Sequence, residues 1–392
     1  AGPLTGVLDP DELFGDLLFP AVSLAVGIIL FDGSLHLGVP QLRAAGREAV
    51  ALVTVGASIA FAATTALAAV VLDRPVGDAA LLAAVLIVTG PTVIGPLLRQ
   101  VRPRGRVGPI LQAEGILIDP IGAILALLVF EVVHVEQQGG ALTTVLGTLG
   151  RVGASGLAIG LLGAAVVWAG LRWFLVPDHL QQAVVLGTVV VTFALADHVQ
   201  EESGLLAVTV MGLGLANQRR VSVERVAEFN ETLQVLLVSG LFLLIAARLD
   251  LTELRADLGR NLVLLVGLVL VVRPLSVAAA TWGSTLTRSE RTFLAWVAPR
   301  GIVAAAVSSV FALRLDEAGL GGGGALASSV VVVIIGTILL AGLTARPLAV
   351  QLGLAQSDPT GVLVLGAHGW GRELADVLEE HGIRTRIVER DR

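Results

Sequence analysis

The sequence predicts an all-α polytopic membrane protein, an inverted repeat built round two crossed broken helices, with the start of a Rossmann-like α/β segment at its C-terminus. Three observations predict the membrane part. Of 392 residues, 55% are hydrophobic and 15% charged, with a mean hydropathy of +0.86, whereas soluble domains carry roughly 25% charged residues. Apolar stretches of about 18 or more residues recur along the chain, enough for a helix to cross hydrocarbon. Two of these stretches, at corresponding places in the two halves, are broken by proline and glycine, which a plain lipid-facing helix does not tolerate.

Clusters of glycine, proline and charge divide the chain into eleven candidate spans. The first, 17–37, ends before Gly38-Val-Pro40, and the second, 48–72, at Asp73-Arg74-Pro75. The third, 79–98, stops at Arg99; the fourth, 108–134, at Glu136 and the Gly139-Gly140 pair. The fifth, 152–171, ends at Arg172. Two shorter spans, 181–196 and 203–217, are parted by Asp197 to Glu202. The eighth, 232–247, stops at Arg248, and 259–281 stops before Gly283. The tenth, 292–313, closes at Arg314, and 325–345 at Arg346-Pro347.

Arginine placement orients these spans. With the first running inwards, the cytoplasmic loops hold thirteen arginines: 43, 47, 99, 102, 104, 106, 172, 219, 220, 225, 288, 291 and 346. The opposite loops hold six: 74, 151, 248, 255, 260 and 314. That is the positive-inside bias. It implies a multi-pass protein of the cell (inner) membrane with a cytoplasmic C-terminus. All 26 basic residues are arginine, and the net charge of −6 argues against a nucleic-acid partner. The absence of cysteine excludes disulfides, thiol nucleophiles and cysteine metal sites. Residues Ala1 to Asp16 are acidic and broken by glycine and proline, unlike a cleavable signal peptide.

After a linker at 351–360 the chain changes character. Residues 361–366 read as an apolar strand running into the glycine-rich turn Gly366-Ala-His368-Gly-Trp-Gly371. An amphipathic helix to about Glu380 and a second strand, 383–388, ending at Glu389, complete the opening βαβ of a dinucleotide-binding fold. Gly366, His368, Gly371 and Glu389 are its candidate nucleotide-binding residues, with His368 at the middle glycine position.

The breaks are Thr89-Gly90-Pro91-Thr92, followed by Gly95-Pro96, and Ala298-Pro299-Arg300-Gly301. Proline removes an amide donor and clashes with the preceding turn. In a bilayer the freed groups must face protein or a watery site. Each break lies in the middle span of a triplet, 48–134 and 259–345, and the two triplets start from opposite sides. This is the inverted-repeat layout of secondary transporters. Crossed breaks bring helix ends of both signs together, and these need compensating charge. Arg300, at the second break, balances carbonyl ends or lines a funnel.

Asp119 sits mid-span, directly after the first broken helix, where an ionised carboxylate costs at least about 2.5–3.5 kcal/mol. A proton or a metal cation removes that cost, so such a group is an exchange site. Arg273, in Val272-Arg273-Pro274, needs a carboxylate partner, and Glu114 on the facing triplet supplies one. Arginine does not titrate, so the pair is a strut and no proton carrier. Asp32, in Leu30-Phe-Asp32-Gly33, is either a second ligand or an interfacial acid. The histidines His36, His134, His179 and His198 fall at span ends and loops.

On these residues the chain resembles the cation:proton antiporter superfamily, in its NhaP-type sodium/proton exchanger branch, over roughly residues 10–350. The likeness rests on Leu30-Phe-Asp-Gly33, Thr89-Gly-Pro-Thr92, Glu114-Gly-Ile-Leu-Ile-Asp119, Ser203-Gly-Leu-Leu-Ala207, Arg273-Pro274 and Pro299-Arg-Gly301. The resemblance implies a homodimer in which a core domain (48–134 and 259–345) moves against a scaffold. It implies thirteen spans, two of them before residue 1. It makes Asp119 the ion-binding aspartate and metal-cation ligand, with Thr92 and Gly90 at the broken helix, and Glu114 and Arg273 the structural pair. The C-terminal segment is similar to the TrkA-N (RCK) module, which implies a regulatory nucleotide. The family's Asn-Asp pair is Ile118-Asp119 here, its Ser after the Glu is Gly115, and its Asp after the Thr is Val93. These departures leave sodium and potassium both open.

The function expected is exchange of a monovalent cation for a proton by alternating access, electroneutral and with no cofactor for transport. The alternative is a sodium-coupled organic-anion carrier on the same plan, whose anion would sit at helix ends. No Ser/His, paired-Asp or metal motif lies at membrane depth, which argues against an intramembrane enzyme.

Overall fold

The computed structural model describes residues 10–135, 141–201, 203–218, 220–221, 224–248, 255, 257–317, 319, 321–355, 361–366 and 368–388. The chain divides into two units, 1–354 and 355–392.

The first unit is helical. A lead-in helix, Pro10–Phe14, and a 3₁₀ turn, Gly15–Leu17, precede α1 (Leu18–Leu35). Helix α2 (Val39–Ala51) runs through a π-helical turn, Leu52–Gly56, into α3 (Ala57–Leu72). Next come α4 (Val76–Leu86), α5 (Pro91–Val101) and α6 (Val107–Val135). Helices α7 (Ala141–Arg172), α8 (Gln181–Val199), α9 (Ser203–Asn217) and α10 (Glu224–Arg248) follow. The chain returns through α11 (Leu258–Gly267), a second π-helical turn, Leu268–Val272, and α12 (Arg273–Ala280). The unit ends with α13 (Arg288–Trp296), α14 (Ile302–Glu317) and α15 (Gly323–Gln351).

Among the described residues six helices are long and apolar enough to cross a membrane, or seven if α4 and α5, bent by 43°, count as one broken span. The protein is thus multi-pass, but the eleven spans expected are not all full-length helices. The first, seventh and tenth fall on shorter apolar helices, Pro20–Leu35, Ser203–Asn217 and Ile302–Ala312. The eighth falls on α10, whose first turns carry Glu224, Arg225 and Glu228. The tenth, predicted over 292–313 with a break at 298–301, is two helices, α13 and α14, parted at Pro299 and Gly301.

Local chemistry explains these ends. Gly90 precedes a proline, which disfavours helical backbone, and it is extended at φ −74°, ψ 119°. Pro91 then starts α5 at a position where its missing N–H is harmless. Helix α13 begins with a capping box, in which the Thr287 hydroxyl accepts from the Glu290 amide and Glu290 accepts from the Thr287 amide. Pro274 cannot donate to the carbonyl of Leu270, and the π-helical turn at 268–272 absorbs that defect. The equivalent turn at 52–56 has no proline. There the Thr54 hydroxyl donates to the Val50 carbonyl at 2.8 Å, a side-chain bond that competes with the helical ladder.

Helices α1 and α7 to α10 pack against one another, while α2 to α6 pack with α11 to α15. Lipid tails are as apolar as leucine, so helices associate through close approach at small residues. Gly160 of α7 is one such point, where a Cβ would lie 2.4 Å from the Ala207 carbonyl oxygen of α9.

In the second unit β1 (Gly361–Leu365), α16 (Gly369–Glu380) and β2 (Arg384–Val388) follow in order. The strands are parallel, Gly361 opposite Arg384 and Leu365 opposite Val388. Val364 and Ala375 form its small buried interior.

Candidate functional site

The two breaks meet at their glycines. The Gly90 amide donates to the Pro299 carbonyl at 3.2 Å. A Cβ on Gly90 would lie 2.2 Å from the Gly301 Cα, and one on Gly301 would lie 2.3 Å from the Gly90 Cα. No side chain fits between these backbones, so the extended segments cross in direct contact.

The crossing leaves the C-terminal carbonyls of α4 without helical partners, a negative end. Arg300 meets them, with Nη1 donating to Ile87 O at 3.0 Å and to Val88 O at 3.4 Å. Its own backbone amide donates to the Thr337 hydroxyl on α15 at 3.1 Å. The guanidinium is buried, 4% exposed. Of the two roles open to Arg300 in the sequence, the geometry matches charge balance at carbonyl ends.

The structure brings Glu114 and Arg273 together across 159 residues. Arg273 Nη2 donates to Glu114 Oε2 at 2.9 Å, Nη1 donates to Oε1, and Nε donates to the Leu294 carbonyl at 3.0 Å. A bidentate Arg–carboxylate fork fixes geometry as well as charge. Both partners are buried. The fork ties α6 to α12 and the end of α13.

Asp119 has 0% exposure, and neither carboxylate oxygen has a hydrogen-bond partner among the described residues. Its orientation follows from its neighbours. A Cβ on Gly115 would meet the Thr89 carbonyl at 3.2 Å and the Pro91 Cα at 3.3 Å, and one on Gly122 would meet Val88 Cγ2 at 2.1 Å. Residues 115, 119 and 122 share one helix face, so Asp119 is presented to the first break. Pro120 adds to this locality, because it cannot donate to the Ile116 carbonyl. The hydroxyls of Thr89 and Thr92, one on each side of the break, are also buried without partners. The Asp119 carboxylate and these two hydroxyls are unpartnered oxygens on the segments that meet at the first break. Among the described residues no group of three or more His, Cys, Asp or Glu could hold a metal ion.

A cavity of about 450 Å³ opens beside the break on the side of Arg99. Asp32, His36, Thr92, Gln112 and Ile116 contribute to its lining. Asp119 does not line it; it lies three residues beyond Ile116 on α6, about 4.5 Å along the axis. Asp32 is 2% exposed on α1, and His36 Nδ1 lies 2.9 Å from its carbonyl oxygen and 3.9 Å from its Oδ1. Asp32 therefore borders the approach to Thr92 rather than the crossing itself.

Sequence reasoning singled out Thr92 and Gly90 but not Thr89. The signal was the symmetry of Thr89-Gly-Pro-Thr92 about its break, which puts a hydroxyl on both flanks. In the second unit, Gly366 has φ +99°, a conformation that favours glycine. A Cβ on Gly371 would come 2.9 Å from the Gly366 carbonyl. His368 precedes α16 without a side-chain cap bond, and Glu389 lies outside the described residues.

Known proteins share this architecture. The sodium/hydrogen exchanger transmembrane family matches residues 18–351, which leaves the βαβ unit outside the match. The K(+)/H(+) antiporter NhaP2 of a Shewanella species (strain MR-4) is 26% identical over 311 residues, 76% of this chain and 53% of the relative. The Na(+)/H(+) antiporter 1 of Methanocaldococcus jannaschii is 21% identical over 327 residues, 80% of this chain and 75% of the relative. The chain spans about half the length of the first of these relatives. The structure of the sodium proton antiporter MjNhaP1 from Methanocaldococcus jannaschii superposes with a TM-score of 0.76 at 21% identity, over 90% of this chain and 89% of the other. With a family match that covers most of its length, this chain belongs to the transmembrane sodium/hydrogen exchangers.

Proposed function

We propose that the chain exchanges sodium or potassium for protons across the inner membrane by alternating access, one for one, with Asp119 carrying either passenger. The observation that supports this most is a fully buried carboxylate with no hydrogen-bond partner among the described residues, presented to a helix break flanked by two hydroxyls that also lack one there. Bare and ionised it is too costly for a membrane interior, so it holds a proton or a cation at every stage. Thr92 and Thr89 offer oxygens to the cation, and Gly90 lets the break approach closely enough to do so.

Charge balance supports electroneutrality. Glu114 and Arg273 cancel each other, and Arg300 is spent on helix carbonyls. Replacing one monovalent cation by one proton at Asp119 then moves no net charge. The same engagement weighs against the organic-anion carrier, since Arg273 is taken up by Glu114 and the Leu294 carbonyl. The relatives are named for potassium in one case and sodium in the other, and both ions stay within the proposal. The cavity beside Arg99 is the inward route in the arginine-based orientation, with Asp32 bordering it. The proposal includes a homodimer, a cytoplasmic C-terminus, and regulation by a nucleotide at Gly366, His368, Gly371 and Glu389.

Proteoliposomes with a trapped pH dye test it, challenged with sodium, potassium, lithium and acetate salts. A proton flux driven by sodium or potassium and absent in Asp119→Asn supports the exchanger. A flux that follows the organic anion supports the rival.

A further inference from the structure

On the arginine-rich side, cytoplasmic in the orientation proposed above, α12 and α13 meet at the Arg273–Leu294 hydrogen bond but do not close along their whole length. Between them runs a groove of about 500 Å³. Pro274, Val277 and Ala295 form its apolar wall, and Trp282 and Arg291 stand at its polar end. Among the described residues no acidic side chain lines it. The nearby Glu290 is engaged in its own helix cap, accepting from the Thr287 amide at 2.8 Å.

Arg291 is only partly engaged. Its Nη2 donates to the Ser284 carbonyl at 2.9 Å, but its Nε is buried and has no acceptor among the described residues. The guanidinium charge of Arg291 meets no carboxylate among the described residues of the lining, and an anionic oxygen is its natural complement. Trp282 is 88% exposed at the end of α12, where indoles sit at the level of lipid headgroups. Towards the membrane interior, Leu270, Val271 and Leu275 are exposed by 50–60%, which makes this flank a lipid-facing surface.

From these features we infer that the groove binds an anionic phospholipid of the adjacent leaflet. Its phosphodiester meets the Arg291 side chain where it lines the groove, its glycerol region lies beside the Trp282 indole, and an acyl chain runs along Pro274, Val277 and Ala295. Basic pockets between helices on the cytoplasmic side take such headgroups. Because Pro274 adjoins Arg273, an occupied groove would also brace the helix that carries the buried ion pair. Only the choice of leaflet rests on the orientation proposed above; the ligand chemistry does not depend on exchange activity.

The test is native mass spectrometry of the full chain in detergent, titrated with equal amounts of phosphatidylglycerol and phosphatidylcholine. The wild type retains phosphatidylglycerol about fivefold better, the worth of one arginine near an anionic headgroup. Arg291→Gln removes the preference, Ala295→Phe lowers retention of both lipids by filling the wall, and Arg288→Gln changes nothing. Millimolar inorganic phosphate does not displace the lipid. Equal retention of the two lipids, or a preference undiminished in Arg291→Gln, would overturn the proposal. Displacement by inorganic phosphate would do so too, because the groove would then be a site for soluble anions. Exchange is not read in this experiment, so its failure is separate from that of the transport reading.

Discussion

Gly90 and Gly301 touch backbone to backbone, 211 positions apart in the sequence, at the point where the two broken helices cross. A Cβ on either would overlap the other's Cα at 2.2–2.3 Å. Gly90→Ala and Gly301→Ala therefore force the crossing apart. Overpacking of this kind costs about 1–3 kcal/mol or more. A fall in melting temperature, followed by intrinsic tryptophan fluorescence, together with lost exchange checks it. Unchanged stability in both variants would show that the breaks are looser than the structure has them.

The Glu114–Arg273 fork yields a second expectation. Glu114→Ala leaves a buried guanidinium unpaired, and breaking a buried pair on one side costs about 3–5 kcal/mol. Removing both charges, as in Glu114→Leu with Arg273→Met, costs less than the single change, because no orphaned charge remains. Thermal unfolding of the three proteins measures the difference.

Arg300 is expected to act on stability through the α4 carbonyls. Arg300→Gln replaces a charged donor to Ile87 and Val88 by a neutral one, and hydrogen bonds to charged groups contribute about 1.5–3 kcal/mol. Arg300→Lys restores part of that. The order wild type, Lys, Gln in melting temperature checks the assignment.

The side opposite the cavity is closed by contacts between the two helix groups. Arg314 Nη1 of α14 lies 3.2 Å from Glu201 Oε2 in the turn before α9. The Arg314 guanidinium also lies over the Phe311 ring, which packs within its own helix group on Phe130 with ring centroids 5.6 Å apart. A solvent-exposed pair contributes about 0.2–1 kcal/mol, too little to hold the fold but enough to shift two transport states by up to about fivefold. Arg314→Glu is expected to favour opening on that side. The chain has no cysteine, and a Cβ at Gly95, in the cavity wall, meets nothing within 4 Å. Maleimide labelling of Gly95→Cys from the cavity side should therefore slow in Arg314→Glu and recover when Glu201→Arg is added. Labelling that ignores both changes would remove the latch.

Much of this was legible in the sequence because its signals are local. Proline and glycine write the breaks at 90–91 and 299–301 into the chain, and Arg273 inside the ninth span demands an acid, for which Glu114 on the facing triplet is the natural choice. Helix lengths were less legible. Helices α7 and α10 extend well beyond the apolar runs at 152–171 and 232–247, since polar turns continue a helix once it leaves hydrocarbon. The π-helical turn at 52–56 has no proline to announce it. The unpartnered hydroxyl of Thr89 is a tertiary fact, set by how α6 lies against the break, as is the position of Asp119 behind the cavity wall.

Competition for one carboxylate is the centre of this account, and proton release reads it directly. Weakly buffered detergent solution with a pH indicator, at a pH where Asp119 is protonated, is titrated with sodium or potassium chloride. Each chain should release close to one proton as the cation binds, and Asp119→Asn should release none. Cation binding with no proton released, or equal release from the variant, would contradict a shared site at Asp119.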